Sequence, residues 1–138
     1  MSPPPLLPVR LVELTPERSL VFESQGRLFG LPLSRVSQVV MRGPAFSTLP
    51  GRSGAVAGVM PHGQALWPLY SAPALLGGAS RAEDFLVLAE VEGRSLGLCA
   101  SRVLGVHPRF EPAGEPGEFT APGVPGPVLF LDLQRMFS

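Results

Sequence analysis

Apolar and polar positions alternate along this chain in short runs, which is the pattern of β-strands rather than of helices. In the run 19–24, Leu20 and Phe22 would lie on one face of a strand. Val21 and Glu23 would lie on the opposite face. Similar runs recur between glycines and prolines, of which the chain has 16 and 17. Many short strands separated by frequent turns predict an all-β protein.

One sequence motif, the repeated phrase, occurs twice in the chain. The segment EsqGRlfGLplSRVsqV, from Glu23 to Val39, recurs as EveGRslGLcaSRVlgV, from Glu90 to Val106, displaced by 67 residues throughout. Each copy contains a two-residue turn, Gln25-Gly26 or Glu92-Gly93, in which glycine can adopt the positive φ that hairpins require. The repeated features are turn glycines, in-facing apolar residues and valines, and these determine a fold. The repeat therefore predicts two structurally equivalent units.

The first residues differ in composition from the rest. Residues 1–18 begin MSPPPLLPVR, which predicts a flexible Pro-rich leader in which only Leu11–Leu14 would add a strand. The stretch PPPLLP contains a PxxP pattern, which can form a polyproline II helix and dock in an aromatic groove. A proline-rich tail without such a partner is the more common meaning of this composition.

The repeat also sets the expected organisation of the remaining chain. Residues 19–138 would form one domain made of two small units. We expect a first barrel over about 19–77 and a second over about 84–138. Residues 110–127 hold most of the remaining proline and glycine, and they predict a long mobile loop.

Composition excludes several classes of function. Arginine and the acidic residues number 11 each, so no net charge draws the protein to nucleic acid or to an anionic membrane. No secretory signal is evident, and no apolar run approaches the roughly 20 residues of a membrane span. The single cysteine allows no disulfide framework. We expect a soluble cytoplasmic protein with no nucleic-acid partner and no membrane insertion.

The sequence offers no convergent set of reactive groups. His62 and His107 are the only histidines, and neither has Asp, Glu or Cys at metal-ligand spacing. Cys99 lies on a predicted strand, where cysteine packs readily as a small hydrophobe. Asp84 and Asp132 are the only aspartates, and each lies at the end of a predicted strand. No catalytic residue, cofactor or metal site is therefore expected, and the protein is not expected to be an enzyme.

An ordered set of short segments spans nearly the whole chain from Ser19 to Phe137. The segments are Val36-Ser37-Gln38-Val39, Leu49-Pro50, Gly58-Val59, Gly63, Pro68-Leu69, Leu76-Gly77, Gly97–Val106 and Leu131-Asp132-Leu133. In this order they resemble the CheW-like domain, the coupling fold of bacterial chemotaxis. The resemblance implies two SH3-like five-stranded barrels that share a hydrophobic core, with short helical turns. Each barrel would use the repeated phrase once.

The resemblance also implies a function. It suggests a non-catalytic adaptor that couples the regulatory domain of a CheA-like histidine kinase to the cytoplasmic tip of a chemoreceptor. The candidate partner-binding residues follow the first phrase, lie in the next hairpin or are repeat-mates of the first valines: Val36, Gln38, Val39, Arg42, Gly58, His62, Gly63, Val103 and Val106. For the valines the alternative is packing in the core, and for Arg42 and His62 it is a solvated loop.

The chain departs from the family pattern at several positions. Pro61-His62-Gly63 stands where the family has Asn-Leu-Arg-Gly, and Gln38 stands in place of a glutamate. Ser71 and Ser101 replace two aspartates of the family pattern. These changes leave an alternative open, a divergent scaffold that has lost receptor binding and bridges only the kinase or another partner. A third class, a small hydrolase or ligand-binding barrel, has no candidate residues in this sequence.

Overall fold

The structure, a computed structural model, describes residues 16–41, 47–48, 56–78 and 83–133. Within these residues twelve strands form two six-stranded sheets, with very little helix. The elements are β1 Ser19–Ser24, β2 Arg27–Pro32, a 3-10 turn at Leu33–Arg35, β3 Val36–Met41, β4 Ser47–Thr48, β5 Val56–His62, β6 Ala65–Ser71, α1 Ala72–Leu75, β7 Phe85–Val91, β8 Arg94–Ala100, β9 Arg102–His107, β10 Glu111–Pro112, β11 Glu118–Thr120 and β12 Val128–Phe130. The prediction of an all-β fold with short helical turns is confirmed.

Each copy of the repeated phrase folds as a β-hairpin. β1 pairs antiparallel with β2, and β7 pairs antiparallel with β8. In the first turn φ is 51° at Gln25 and 81° at Gly26, and in the second it is 51° at Glu92 and 74° at Gly93. Two successive positive φ angles are typical of a type I′ turn, whose twist matches the right-handed twist of the flanking strands.

Each hairpin belongs to the sheet whose other strands come from the other half of the chain. One sheet has the order β10-β11-β12-β2-β1-β9 and the other has β4-β5-β6-β8-β7-β3. The orders are equivalent position by position, but the first hairpin lies among strands of the second half, and the second hairpin among strands of the first half. The expected division into a barrel at 19–77 and a barrel at 84–138 therefore does not describe the sheets. Each sheet also has six strands rather than five, because β4 and β10 add two-residue strands at one edge.

The equivalence extends to the register of the strands. Val39 of β3 lies opposite Val87 of β7. Val106 of β9, 67 residues after Val39, lies opposite Leu20 of β1, 67 residues before Val87. The parallel contacts follow the same rule, since β6 runs beside β8 as β12 runs beside β2. The equivalence of the two copies therefore includes strand pairing as well as local structure.

Buried apolar side chains form three clusters. A central cluster joins the two sheets through both hairpins, with Leu20, Phe22, Phe29, Leu31, Val87, Ala89, Val91, Leu96, Leu98 and Ala100 among its members. The other two lie within the individual sheets and contain Val21, Phe110, Phe119, Ala121 and Val128 in one, and Met60, Trp67, Leu69, Leu86, Leu88 and Cys99 in the other. Successive residues of a hairpin strand thus enter different clusters, so these strands are buried on both faces.

Residues 110–127 are part of the fold rather than a structureless loop. They contain β10 and β11, and Phe110, Phe119 and Ala121 are buried around Val128. The frequent proline and glycine of this segment indicated a loop, and the three separated apolar residues that enter the core were not recognised. The mobility expected of residues 110–127 stays a prediction, while β10, β11 and the three buried side chains belong to the fold.

Some expectations fall outside the described residues. These include the flexibility of leader residues 1–15, the contact role of Arg42 and the segment Leu49-Pro50. The described part of the leader is fastened to the domain at Arg18, whose carbonyl accepts a hydrogen bond of 3.0 Å from the backbone N–H of Leu33.

Candidate partner-binding surfaces

β3 and β9 are the terminal strands at equivalent edges of their sheets. Among the described residues, β3 pairs only with β7, and β9 pairs only with β1. Alternate backbone amides and carbonyls of a strand at a sheet edge point away from its neighbour and can pair with another chain. The repeat therefore gives the molecule two edges of the same geometry.

The predicted contact valines divide into two kinds. Val36 and Val103 are half-buried and pack against the central cluster. Val39 and Val106 are exposed, at 38% and 44% of their surface. The core-packing alternative therefore describes the first pair, while the second pair lies where a partner could reach it. A role in binding stays a prediction for all four.

The exposed part of β3 is larger than the sequence indicated. Gln38 is exposed, and Met41, which was not among the predicted contact residues, is 72% exposed. Val39 and Met41 are two residues apart in a strand, so they share a face. This period of two was the available signal for Met41. The strand from Val36 to Met41 carries no charged residue.

The β9 edge has the same register but a different charge. Arg102 and His107 are its end residues. The Arg102 Nε donates a 3.0 Å hydrogen bond to Glu23 Oε1. The backbone N–H and the hydroxyl of Ser101 both donate to the carbonyl of Glu23, at 2.8 and 3.1 Å. The beginning of β9 is thus bonded to the end of β1, and the two edges differ in charge.

The remaining candidates lie on β5 and in its turn to β6. Gly58 is buried beside a bulge in the β5–β6 pairing, and Gly63 is exposed with a φ of +64°. His62 pairs with Ala65 through the backbone, while its side chain and all of Arg42 lie outside what the structure describes. Three strands separate β3 from β5 in the sheet. The candidate residues therefore occupy three places, β3, β9 and the β5–β6 hairpin.

A buried polar network ties the first hairpin to the connection between the halves. The hydroxyl of Ser24 donates to Glu83 Oε1, and the backbone N–H of Gln25 donates to Glu83 Oε2 at 3.1 Å. The Gln25 side-chain amide donates to the hydroxyl of Ser71 at 2.8 Å. Glu83 is only 8% exposed. Sequence reasoning missed this network because its members lie far apart in the chain and have no repeat counterpart.

The described residues show little that could serve catalysis. None of their His, Cys, Asp and Glu side chains form a group of three or more that could hold a metal ion. Cys99 is fully buried on β8, and the His107 ring lies edge-on to Phe110 with centroids 6.4 Å apart. A groove of about 400 Å³ at the first hairpin mixes charged, glycine, proline and leucine residues. No helix among the described residues has the length and apolarity to cross a membrane.

Comparison with known proteins decides the family. A sequence profile described as the CheW-like domain matches residues 18–125, most of the chain. The chain belongs to the CheW-like domain family. This CheW-like chain also resembles the solved structure of the scaffolding protein TtCheW from Thermoanaerobacter tengcongensis, with a TM-score of 0.68 and 19% sequence identity. The alignment covers 89% of this chain and 93% of that one.

At this identity the TtCheW likeness shows the fold, and it confirms the prediction of a CheW-like fold of two SH3-like barrels. No curated protein matches the sequence. Membership of the family makes this CheW-like chain part of a group of chemotaxis scaffold and adaptor proteins that act in signal transduction. Proteins of this family are non-catalytic scaffolds.

Proposed function

We propose that this CheW-like protein is a non-catalytic cytoplasmic adaptor that couples a CheA-like histidine kinase to chemoreceptors. One observation carries the proposal. The repeat produces two strand edges of equivalent geometry, on different sheets, each with an exposed valine, Val39 or Val106. An adaptor must hold two proteins at once, and two edges on separate sheets supply two separate surfaces.

The chemistry of the edges suggests which partner each would bind. β3 is uncharged and exposes Val39 and Met41, which suits the apolar stripe of a receptor helix. β9 carries Arg102 and His107 beside its exposed valine, which suits a folded domain with a polar rim, such as the kinase regulatory domain. The β5–β6 hairpin, with Gly58, His62 and Gly63, lies three strands away from β3 and would form a separate contact.

Calorimetric titration with the regulatory domain of a CheA-like kinase tests the kinase half of this proposal. We expect micromolar binding that Val106→Glu weakens by about tenfold or more, because a charge would be desolvated in the interface. Leu76→Glu is the matched control, since Leu76 is equally exposed, at 43%, but lies on neither edge. No binding by the unmodified protein, or equal binding by the Val106→Glu variant, would contradict this assignment.

A second candidate is a scaffold that bridges the kinase or another partner without binding a receptor. Pro61-His62-Gly63 favours it, because the family's asparagine and arginine are missing from this turn. The two functions differ in one readout, binding of a receptor-tip coiled coil. Val39→Glu should abolish that binding in the first function, whereas in the second there is no binding to lose.

A further inference from the structure

We propose that the groove beside the first hairpin binds a short extended peptide segment that carries one acidic and one basic side chain. The groove has a volume of about 400 Å³, and its lining includes the charged residues Glu23, Arg27, Arg102 and Glu118. These residues come from β1, β2, β9 and β11. The groove is a surface apart from the β3 edge and the β5–β6 hairpin, so the inference goes beyond the proposed function.

Two of the four charged groups in this groove are paired with each other, and two are not. The Arg102 Nε lies 3.0 Å from Glu23 Oε1 in an ion pair. Among the described residues, the Arg27 guanidinium and the Glu118 carboxylate have no ion-pair partner. Arg27 is exposed, with its Cζ 5.9 Å from the centre of the Phe29 ring, and Glu118 is half-buried. The groove therefore offers one cation and one anion to a ligand.

Three adjacent strands set the distance between Arg27 and Glu118. Glu118 pairs with Leu129 of β12, and Leu129 pairs with Phe29 of β2. Arg27 lies two residues before Phe29 on the same strand. Spacings of about 4.8 Å between strands and about 3.3 Å per residue place the two Cα atoms about 12 Å apart. An extended peptide separates its first and third Cα atoms by about 7 Å, so long side chains at these positions can reach both charges.

The balance of charge in the groove favours such a peptide over a polyanion. Two cations and two carboxylates cancel, so the phosphates of a nucleic acid or a lipid would meet repulsion as well as attraction. Leu28, Pro127 and Leu129 add apolar lining, against which the methylene groups of long charged side chains can pack. The volume falls within the range of about 300–1,000 Å³ that is typical of ligand sites.

A buried network holds one wall of the groove in place. Gly26 of the first turn lines the groove, and Gln25 precedes it in that turn. The backbone N–H of Gln25 donates to Glu83 Oε2 at 3.1 Å. The side-chain amide of Gln25 donates to the hydroxyl of Ser71 at 2.8 Å. A wall that is already fixed in the free protein lowers the cost of ordering on binding.

The unpaired carboxylate and the network belong to one copy of the repeat only. β5 holds the place of β11 in the other sheet, and its residue Val59 corresponds to Glu118. In the second hairpin Val91 stands in the place of the network's serine. Arg94 is the counterpart of Arg27 and is likewise exposed. Features found in one copy are not required by the repeated fold, and Arg94 supplies a matched control.

NMR titration of the isotope-labelled full-length protein with blocked tripeptides tests the site. The probes are acetyl-Glu-Ala-Arg-amide and acetyl-Arg-Ala-Glu-amide, with acetyl-Gln-Ala-Gln-amide as the uncharged control. We expect at least one charged probe to shift the amide signals of Gly26, Glu118 and Leu129 saturably, with a Kd of about 1 mM. The uncharged peptide should bind about fivefold more weakly or less tightly still.

Substitutions in the groove should separate the two charges from the rest of the surface. Arg27→Gln and Glu118→Gln should each weaken binding of the charged probe by about fivefold, because each removes one charged hydrogen-bonding group. Arg94→Gln and Glu115→Gln are the controls, and both should leave binding unchanged, since neither residue lines the groove. Unaltered amide signals elsewhere show that the variants remain folded.

Three results would overturn the inference. One is the absence of saturable shifts with either charged probe up to about 10 mM. Another is equal binding of the uncharged peptide, and the third is binding that both Arg27→Gln and Glu118→Gln leave intact. Because no kinase or receptor is present, the titration does not depend on the adaptor role.

Discussion

Gly30 lies directly beneath the ring of Phe130, in the parallel pairing of β2 with β12. A Cβ atom at Gly30 would lie 2.7 Å from both Cε atoms of that ring. The repeat reproduces the relationship, because a Cβ at Gly97 would lie 2.5 Å from Cδ2 of Leu69 in the pairing of β8 with β6. The glycine in the middle of each copy of the phrase has no Cβ atom, and a side chain from the neighbouring parallel strand fills that space.

Gly30→Ala should lower the free energy of unfolding by about 1–3 kcal/mol, because the added methyl group must displace a confined ring. Phe130 has little freedom to move, since Phe110 and Phe119 lie edge-on to it with centroids 5.1 and 5.5 Å away. Gly126→Ala is the control, with nothing within 4 Å of its Cβ. Urea denaturation measures the stability of both variants, and equal unfolding midpoints would contradict the close packing of Gly30 against Phe130.

The two hairpin turns should respond differently to the same substitution. Glu92→Asn should stabilise the protein by about 0.5–1 kcal/mol, because asparagine tolerates positive φ better than glutamate does. Gln25→Asn should give no such gain, because the shorter side chain loses its 2.8 Å hydrogen bond to Ser71. Thermal unfolding of the two variants is the measurement. A gain of the same size in both would mean that the Gln25–Ser71 bond contributes nothing.

Replacement of Glu83 tests the buried network. Glu83→Gln should destabilise the protein by about 1–3 kcal/mol, because an amide offers only one oxygen to the two donors that Glu83 satisfies. Either its N–H₂ meets the Gln25 N–H, or the Ser24 hydroxyl accepts from it and loses the acceptor of its own hydrogen. Asp84→Asn is the matched control at an exposed neighbour and should change stability by less than about 0.5 kcal/mol. If the two variants have the same unfolding midpoint in denaturant, the network does not stabilise the fold.

The valines of the edge strands should separate into core and surface classes. Val36→Glu and Val103→Glu should each destabilise the fold by roughly 2 kcal/mol or more, because a carboxylate would enter the central cluster. Val39→Glu and Val106→Glu should change stability by less than about 1 kcal/mol, because these side chains already contact water. Calorimetric unfolding of the four variants measures these changes in stability. Equal losses in all four would contradict the division into core and surface valines. The surface pair is therefore the one to use in binding experiments.

Local features of this fold could be read from the sequence because each depends on neighbouring residues. The alternation of Leu20 and Phe22 with Val21 predicted a strand, and Gly26 predicted its turn. The exchange of hairpins could not be read in this way, because the pairing of β1 with β9 joins residues about 80 positions apart. Either pairing would bury the same alternating residues, so the pattern alone does not choose between consecutive and exchanged units.

The candidate site was predictable to a smaller extent. The repeat and the family resemblance led to β3 and β9, and the exposure of Val39 and Val106 is consistent with that choice. The bulge in each edge pairing places both valines of that edge opposite residues of the central cluster, Ala89 and Val87 for β3 and Phe22 and Leu20 for β9. The different exposure of Val36 and Val39, or of Val103 and Val106, is therefore not a matter of strand face. It depends on how far the neighbouring elements cover each end of the strand, which the local sequence pattern does not show.

The most direct test of the two-edge adaptor is a bridging assay. A receptor-tip coiled coil is immobilised on beads, and the regulatory domain of a CheA-like kinase is added with or without this protein. The account predicts that the kinase domain is retained only when this protein is present. It further predicts that Val39→Glu and Val106→Glu each abolish retention while Leu76→Glu does not. Failure of the unmodified protein to retain the kinase domain, or full retention by both edge variants, would contradict a two-edge adaptor.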